Sequence, residues 1–178
     1  MAEQAADLIS SRRNPLIRRL RMLSSPSGRQ QDGHLLLEGT HQLQELMALK
    51  DQLPEPVQVF ATTDWLDAHT AFLQRLSGFI RVQPMSDVAL KAALSTVNPD
   101  GVACLLPLER LPTPGSTPSF VLALDRVQDP GNLGTLLRTA LGADVEQVWL
   151  AAGADPLAPK VLRLSLIHIS EPTRLASI

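Results

Sequence analysis

The sequence predicts an α/β protein in two parts, and three observations lead there. Short apolar runs bounded by Gly or Pro alternate with helical patterns from His34 to Leu106. A break follows that carries Pro107, Pro112, Pro114, Gly115 and Pro118, a composition that sustains neither helix nor strand pairing. A strand, turn, helix and strand pattern then resumes at Phe120.

The first element is a basic arm, residues 1–30. It holds six arginines against two acids, hence +4, which leaves −6 for the rest of a chain whose net charge is −2. A cationic arm on an acidic body points to contact with a phosphate backbone. Within it Asn14 is placed to cap a helix and Pro15 to open one, because the N–H that proline lacks is unpaired at that position anyway. Leu16, Leu20 and Leu23 then form an apolar stripe. Arg12, Arg13, Arg18, Arg19 and Arg21 are the candidate RNA contacts. The competing reading is a docked helix with a solvated charged face.

From residue 31 to 107 the patterns place strands at 34–37, 57–61, 79–82 and 101–106, with helices at 40–50, 64–76 and 87–94. Helical segments between short apolar runs predict mainly parallel strands joined by right-handed crossovers. Residues 108–119 are read as a linker between domains. Cys104 lies inside an apolar run, the setting of a buried strand residue, and a lone cysteine forms no disulfide within the chain. His34, His41, His69 and His168 have no metal-ligand spacing, so no metal is expected. Hydrophobic residues at 44% and charged residues at 19% exclude a disordered chain, and aromatic residues at 3% leave an aliphatic core. No apolar run approaches the ~20 residues that cross a bilayer, and residues 1–7 lack a signal-peptide stretch, so a cytoplasmic protein is expected.

The chemistry concentrates after residue 120. Asp129-Pro-Gly-Asn132 has turn composition, and Asn132 is placed to cap a helix that begins at Leu133. A strand that ends before a helix N-terminus offers free N–H groups to an anion. Gly134 would let another backbone come close. At 100° per residue Leu133, Leu136, Leu137, Ala140 and Leu141 share one side, while Thr135, Arg138 and Gly142 share the other. On the residues alone Arg138 is equally an exposed helical arginine. G-x-G-x-x-G is absent, so a dinucleotide fold has little support.

The run DRVQDPGNLGTLLRTALGAD, Asp125 to Asp144, resembles the first signature motif of the SpoU (TrmH-like) branch of the SPOUT superfamily. NPLIRRLRML, HLLLEGTHQLQEL and LSTVNPDGVACL are similar to N-terminal segments of the same family. The resemblance implies a small N-terminal substrate-binding α/β domain followed by the first part of an α/β-knot methyltransferase domain, residues 120–163. It implies methyl transfer from S-adenosylmethionine to a ribose 2′-hydroxyl of RNA, rRNA rather than tRNA, by a homodimer when full length. Asn132 and Arg138 match the motif asparagine and arginine, and so are the implied catalytic residues. The family normally continues past a segment like Asp155 to Arg163 into two motifs that hold the cofactor, and neither is found here. LSLIHISEPTR, from Leu164, instead looks like a translated sequencing adapter, so residues 164–178 are expected to be a non-native tail with the knot region missing. Such a fragment would be inactive, and its strands near 120–124 and 147–151 would lack neighbours. Two other readings stand beside this one: a non-catalytic RNA-binding relative, and an unrelated nucleotide-binding α/β enzyme.

Overall fold

A computed structural model describes residues 6–48, 50, 56–111, 117–165 and 174–177. Part of the expected linker, 112–116, and most of the expected tail, 166–173, lie outside the described residues. The chain divides into two compact units, Met1–Leu108 and Glu109–Ile178.

The first unit begins with α1 (Pro15–Met22) and α2 (Pro26–Asp32). Asn14 caps α1, its side chain accepting from Leu16 N at 2.9 Å. The buried stripe of this helix runs through Ile17, Leu20 and Leu23, with Leu16 only partly covered. Those residues share one core with Leu36, Phe60, Met85, Leu90, Ala103 and Leu105, so the helix of the arm is built into the unit. Ser25 caps α2, and Gly33 at φ +79° ends it in the left-handed region.

The chain continues through β1 (His34–Glu38), α3 (Thr40–Ala48), β2 (Val57–Thr62), α4 (Thr63–Ala68), α5 (Thr70–Arg75), β3 (Ile80–Met85), α6 (Asp87–Ala93) and β4 (Val102–Pro107). The expected helix at 64–76 is two helices. His69, at φ −116° and ψ 23°, leaves the helical region between them, and its ring stacks on Trp65 at 4.1 Å.

The sheet order is β1-β4-β2-β3. Only β2 and β3 run parallel, and β4 is antiparallel to both of its neighbours, which corrects the expectation of mainly parallel strands. The reason is length. A seven-residue helix rises about 10 Å, whereas a six-residue strand spans about 20 Å. The connection through α6 therefore returns the chain to the end it left: Met85 lies beside Thr62, and Val102 beside Ala61.

The second unit holds β5 (Val121–Leu124), α7 (Pro130–Gly142), β6 (Gln147–Leu150), α8 (Pro159–Ser165) and β7 (Arg174–Ser177). Its sheet is parallel in the order β5-β6-β7. The expected absence of a neighbour for β6 is thereby corrected, since Arg174-Leu-Ala-Ser177 has no proline and can donate along the whole ladder. Leu133, Leu137, Ala140, Val145, Val148 and Val161 form the core. Gly134 is where α7 meets α8: a Cβ there would lie 2.6 Å from Leu164 Cβ and 3.0 Å from Val161 O.

This packing can be tested in each unit. Gly134→Ala gains about 1 kcal/mol of helix propensity, but it forces two backbones apart, and overpacking costs about 1–3 kcal/mol. The net effect is a loss, read as a lower thermal midpoint of the second unit. In the first unit Asp32 accepts from Arg19 Nε at 2.7 Å and Nη2 at 3.0 Å, and lies 2.9 Å from His34 Nδ1. The Arg19 guanidinium holds the Asp32 carboxyl below its usual range. Its stabilisation is therefore present at neutral pH and fades as pH falls through that lowered value. Asp32→Asn should remove about 1 kcal/mol at neutral pH and flatten the acid limb of a denaturation series.

Candidate active site

The C-terminal ends of β5 and β6 carry two loops laced together by backbone bonds. Arg126 N donates to Ala152 O at 3.0 Å, Ala154 N to Val127 O at 2.8 Å, and Ala151 N to Leu124 O at 3.1 Å. Gly153, at φ +130°, has its Cβ position 2.5 Å from Val127 O, so only glycine closes this crest. Arg126 is held at φ 57°, a conformation that disfavours a side chain, and its guanidinium is 79% exposed beside Asp125. Nothing in the neighbouring residues marks that strain in advance.

Helix α7 rises from the crest. It begins at Pro130, and its cap is Asp129, whose carboxylate accepts from Asn132 N at 2.8 Å. Asn132 therefore lies inside the first turn and is not the cap, which corrects the sequence reading. The error has a simple source: Asp and Asn both cap well, and Pro130 marks the first helical position that decides between them. The correction changes the chemistry, because a carboxylate already occupies the helix N-terminus and an anion would meet its charge there.

Asn132 is exposed, and its side chain has no hydrogen bond among the described residues. Arg138 is likewise exposed, with no acidic partner among the described residues. The two lie about 9 Å apart along the helix axis and about 120° apart around it. They present separate groups to solvent and do not form a contacting pair. Thr135 and Thr139 turn their hydroxyls back onto Gly131 O and Thr135 O, at 3.0 Å each.

The arginines of the arm fall into two groups. Arg12, Arg13, Arg18 and Arg21 are exposed, with no acidic partner among the described residues. Arg19 is forked onto Asp32, and the sixth, Arg29, is buried with Nη1 donating to Leu23 O at 3.0 Å. Burial pushes the Cys104 thiol up to about 12, which leaves it inert. Among the described residues no group of three or more His, Cys, Asp or Glu is placed to hold a metal, and no helix is long and apolar enough to cross a membrane.

Residues 119–172 match the SpoU rRNA methylase family. The second unit thus carries the SpoU rRNA methylase match. The match runs through residues 164–172, a stretch expected from its sequence to be foreign. An uncharacterized tRNA/rRNA methyltransferase of Synechocystis sp. is 41% identical over 162 residues, covering 88% of this chain and 57% of the relative. The 23S rRNA (guanosine(2553)-2′-O)-methyltransferase RlmP of Bacillus subtilis is 34% identical over 158 residues, covering 87% and 59%. The chain thus spans under three fifths of the length of these relatives. Among solved structures, an RNA 2′-O ribose methyltransferase has a TM-score of 0.73 at 28% identity, over 96% of this chain and 66% of that one. An AdoMet-bound rRNA methyltransferase from Sinorhizobium meliloti has 0.69 at 21%, over 97% and 66%, a likeness of fold alone.

This geometry separates stabilising residues from presented ones. Asp129→Ala should destabilise by about 1 kcal/mol through loss of the cap, whereas Asn132→Ala should leave the melting temperature within error. Arg126→Gly should raise stability by up to about 1 kcal/mol by relieving the left-handed strain. Chemical denaturation of the three variants orders them.

Proposed function

We propose that this protein is a SpoU-family enzyme that transfers a methyl group from S-adenosylmethionine to a ribose 2′-hydroxyl of RNA. The observation that carries the reading is Arg138: a cation on the solvent face of the motif helix, with no acidic partner among the described residues and no part in the core of the second unit. The match of residues 119–172 to the SpoU rRNA methylase family supports the cofactor.

S-adenosylmethionine supplies an electrophilic methyl group, and this chain's own residues must bind and orient the nucleophile. The 2′-oxygen gathers negative charge as it attacks. A guanidinium with pKa above ~12 is a poor proton acceptor. The role of Arg138 is therefore to meet that charge, or to hold the adjoining phosphate in place, rather than to remove the proton. Asn132 offers an uncommitted amide on the first turn of the same helix, suited to a substrate hydroxyl or a base edge. By the family resemblance the cofactor is held by motifs that follow a segment like Asp155 to Arg163, so the described residues are assigned no cofactor contact.

The arm supplies affinity. Arg12, Arg13, Arg18 and Arg21 neutralise phosphates, while Arg19, placed among the RNA contacts by its sequence, serves Asp32 instead. The rRNA name of the Bacillus protein favours rRNA as substrate, and the name of the Synechocystis protein covers both tRNA and rRNA. By the family resemblance the full-length protein works as a homodimer.

Two experiments test the reading. In single-turnover methylation by the full-length protein at saturating RNA and cofactor, Arg138→Ala should lower the rate about 10²- to 10³-fold with RNA affinity little changed. A loss below about threefold, far short of one such donor, would make Arg138 a surface residue. Changing Arg12, Arg13, Arg18 and Arg21 to Gln should reduce the slope of log affinity against log salt by about one unit for each phosphate no longer neutralised. An unchanged slope would return the arm to a solvated surface.

A further inference from the structure

Glu38, Thr62 and Met85 end their strands at one end of the first unit's sheet, and Val102 begins its strand there. The loop 94–101 enters β4 at this end and is fastened on both flanks. On one flank Glu38, 4% exposed, accepts from Ser95 N at 2.9 Å, from Ser95 Oγ at 2.8 Å, from Thr96 N at 3.0 Å and from Thr96 Oγ1. On the other, Asp100 accepts from Thr40 N at 2.8 Å, and Gly101 O accepts from Thr62 N at 2.9 Å. Gly101 sits at φ +99°, its Cβ position 2.8 Å from Thr62 Oγ1 and 3.0 Å from Trp65 Cβ, so no side chain fits there.

Between these fastenings stand Val97, 77% exposed, and Asn98, exposed and without a hydrogen bond among the described residues. A loop held this firmly has already given up its conformational entropy, so a partner that meets its tip has little ordering left to oppose it. The arm reaches the same end. Ile9 pairs in parallel with Met85: its N–H donates to Pro84 O at 3.0 Å, and Ser86 N donates to Ile9 O at 2.9 Å. The residues after Ile9 therefore pass beyond the strand ends, with Ser10 O accepting from Ser86 Oγ at 3.4 Å. Arg12 and Arg13 follow directly, both exposed and with no acidic partner among the described residues.

We infer that this end of the sheet recognises unpaired RNA: Arg12 and Arg13 hold the phosphate backbone, while the Val97–Asn98 tip enters between unstacked bases. The inference rests on the RNA reading above and specifies it. Valine gives apolar contact to a base face, and the asparagine amide can both donate to and accept from a base edge. Paired A-form RNA stacks away its base faces and hides its major-groove base edges in a deep, narrow groove, so a short loop tip meets both only where the strand is open. Glu38 acts as a positioning residue, setting the tip without touching the RNA.

The test uses the full chain with two fluorescent RNAs, a hairpin with an unpaired loop and a blunt duplex of its stem. The hairpin should bind more tightly. Val97→Ser with Asn98→Ala should lose about tenfold on the hairpin, the size of one good base contact, with duplex binding, salt slope and melting temperature unchanged. Glu38→Gln should lose part of the hairpin preference and keep the salt slope. Hairpin binding by the double variant at the wild-type level overturns the inference, whatever Glu38→Gln does to folding. If hairpin and duplex bind equally with a slope set by Arg12 and Arg13, the tip has no role and the RNA reading survives. If neither RNA binds, both fall.

Discussion

A carboxylate taken out of water must be given hydrogen-bond donors, and Glu38 at the end of β1 imposes that requirement on the first unit. Its donors come from Ser95 and Thr96, which immediately precede the turn into β4. Satisfying Glu38 therefore brings the chain back beside β1, where β4 enters antiparallel and becomes the strand between β1 and β2. The same side chains fix the loop that presents Val97. Architecture and presented surface thus share one cause, and removing a single buried partner here would leave the others unsatisfied.

The pattern extends to four further acids across the two units. Asp100 binds the first N–H of α3, Asp129 caps α7, Asp32 holds Arg19, and Glu146 accepts from Ser119 N and Oγ. These carboxylates are spent inside the protein, whereas Arg12, Arg13, Arg18, Arg21 and Arg138 are not. A net charge of −2 therefore misleads about the partner. Acidic groups engaged at short range by N–H donors repel an approaching phosphate less than free ones.

What is legible in the sequence follows from local rules. Asn14-Pro15 marks the start of α1 because cap and first-turn chemistry are set within a few residues, and the alternation of apolar runs locates the strands. Ser25-Pro26 and Gly33 carry the same kind of signal for α2, but that stretch lacks the apolar stripe by which the other helices are read. What stays hidden depends on residues distant in sequence. Arg19 and Arg18 look equivalent until Asp32 is placed, and the direction of β4 follows from where α6 ends. The role of Glu38 is set by residues 57 and 58 positions away. At the candidate site the motif arginine is legible only through family resemblance, since an exposed helical arginine carries no local mark of function.

The motif of the second unit can be divided by asking which residues the fold itself requires. Asp129 and Pro130 start the helix, and Gly131 keeps a Cβ from crowding the Asp129 carboxylate 2.9 Å away. Leu133, Leu137 and Ala140 fill the core, and Gly134 admits α8. Thr135 and Thr139 bond back to their own helix. Three glycines fall in this helix; at a cost of about 1 kcal/mol each against alanine, close contacts account for Gly131 and Gly134, while Gly142 has open space around it in the last turn. Asn132 and Arg138 have no such account: neither caps, packs nor pairs among the described residues. Polar groups that stability does not explain, on a helix whose capping, core-filling and back-bonding positions are committed, are the ones left to act on a substrate. Among the polar side chains of this helix, stability thus leaves unexplained the same two residues that the family motif marks.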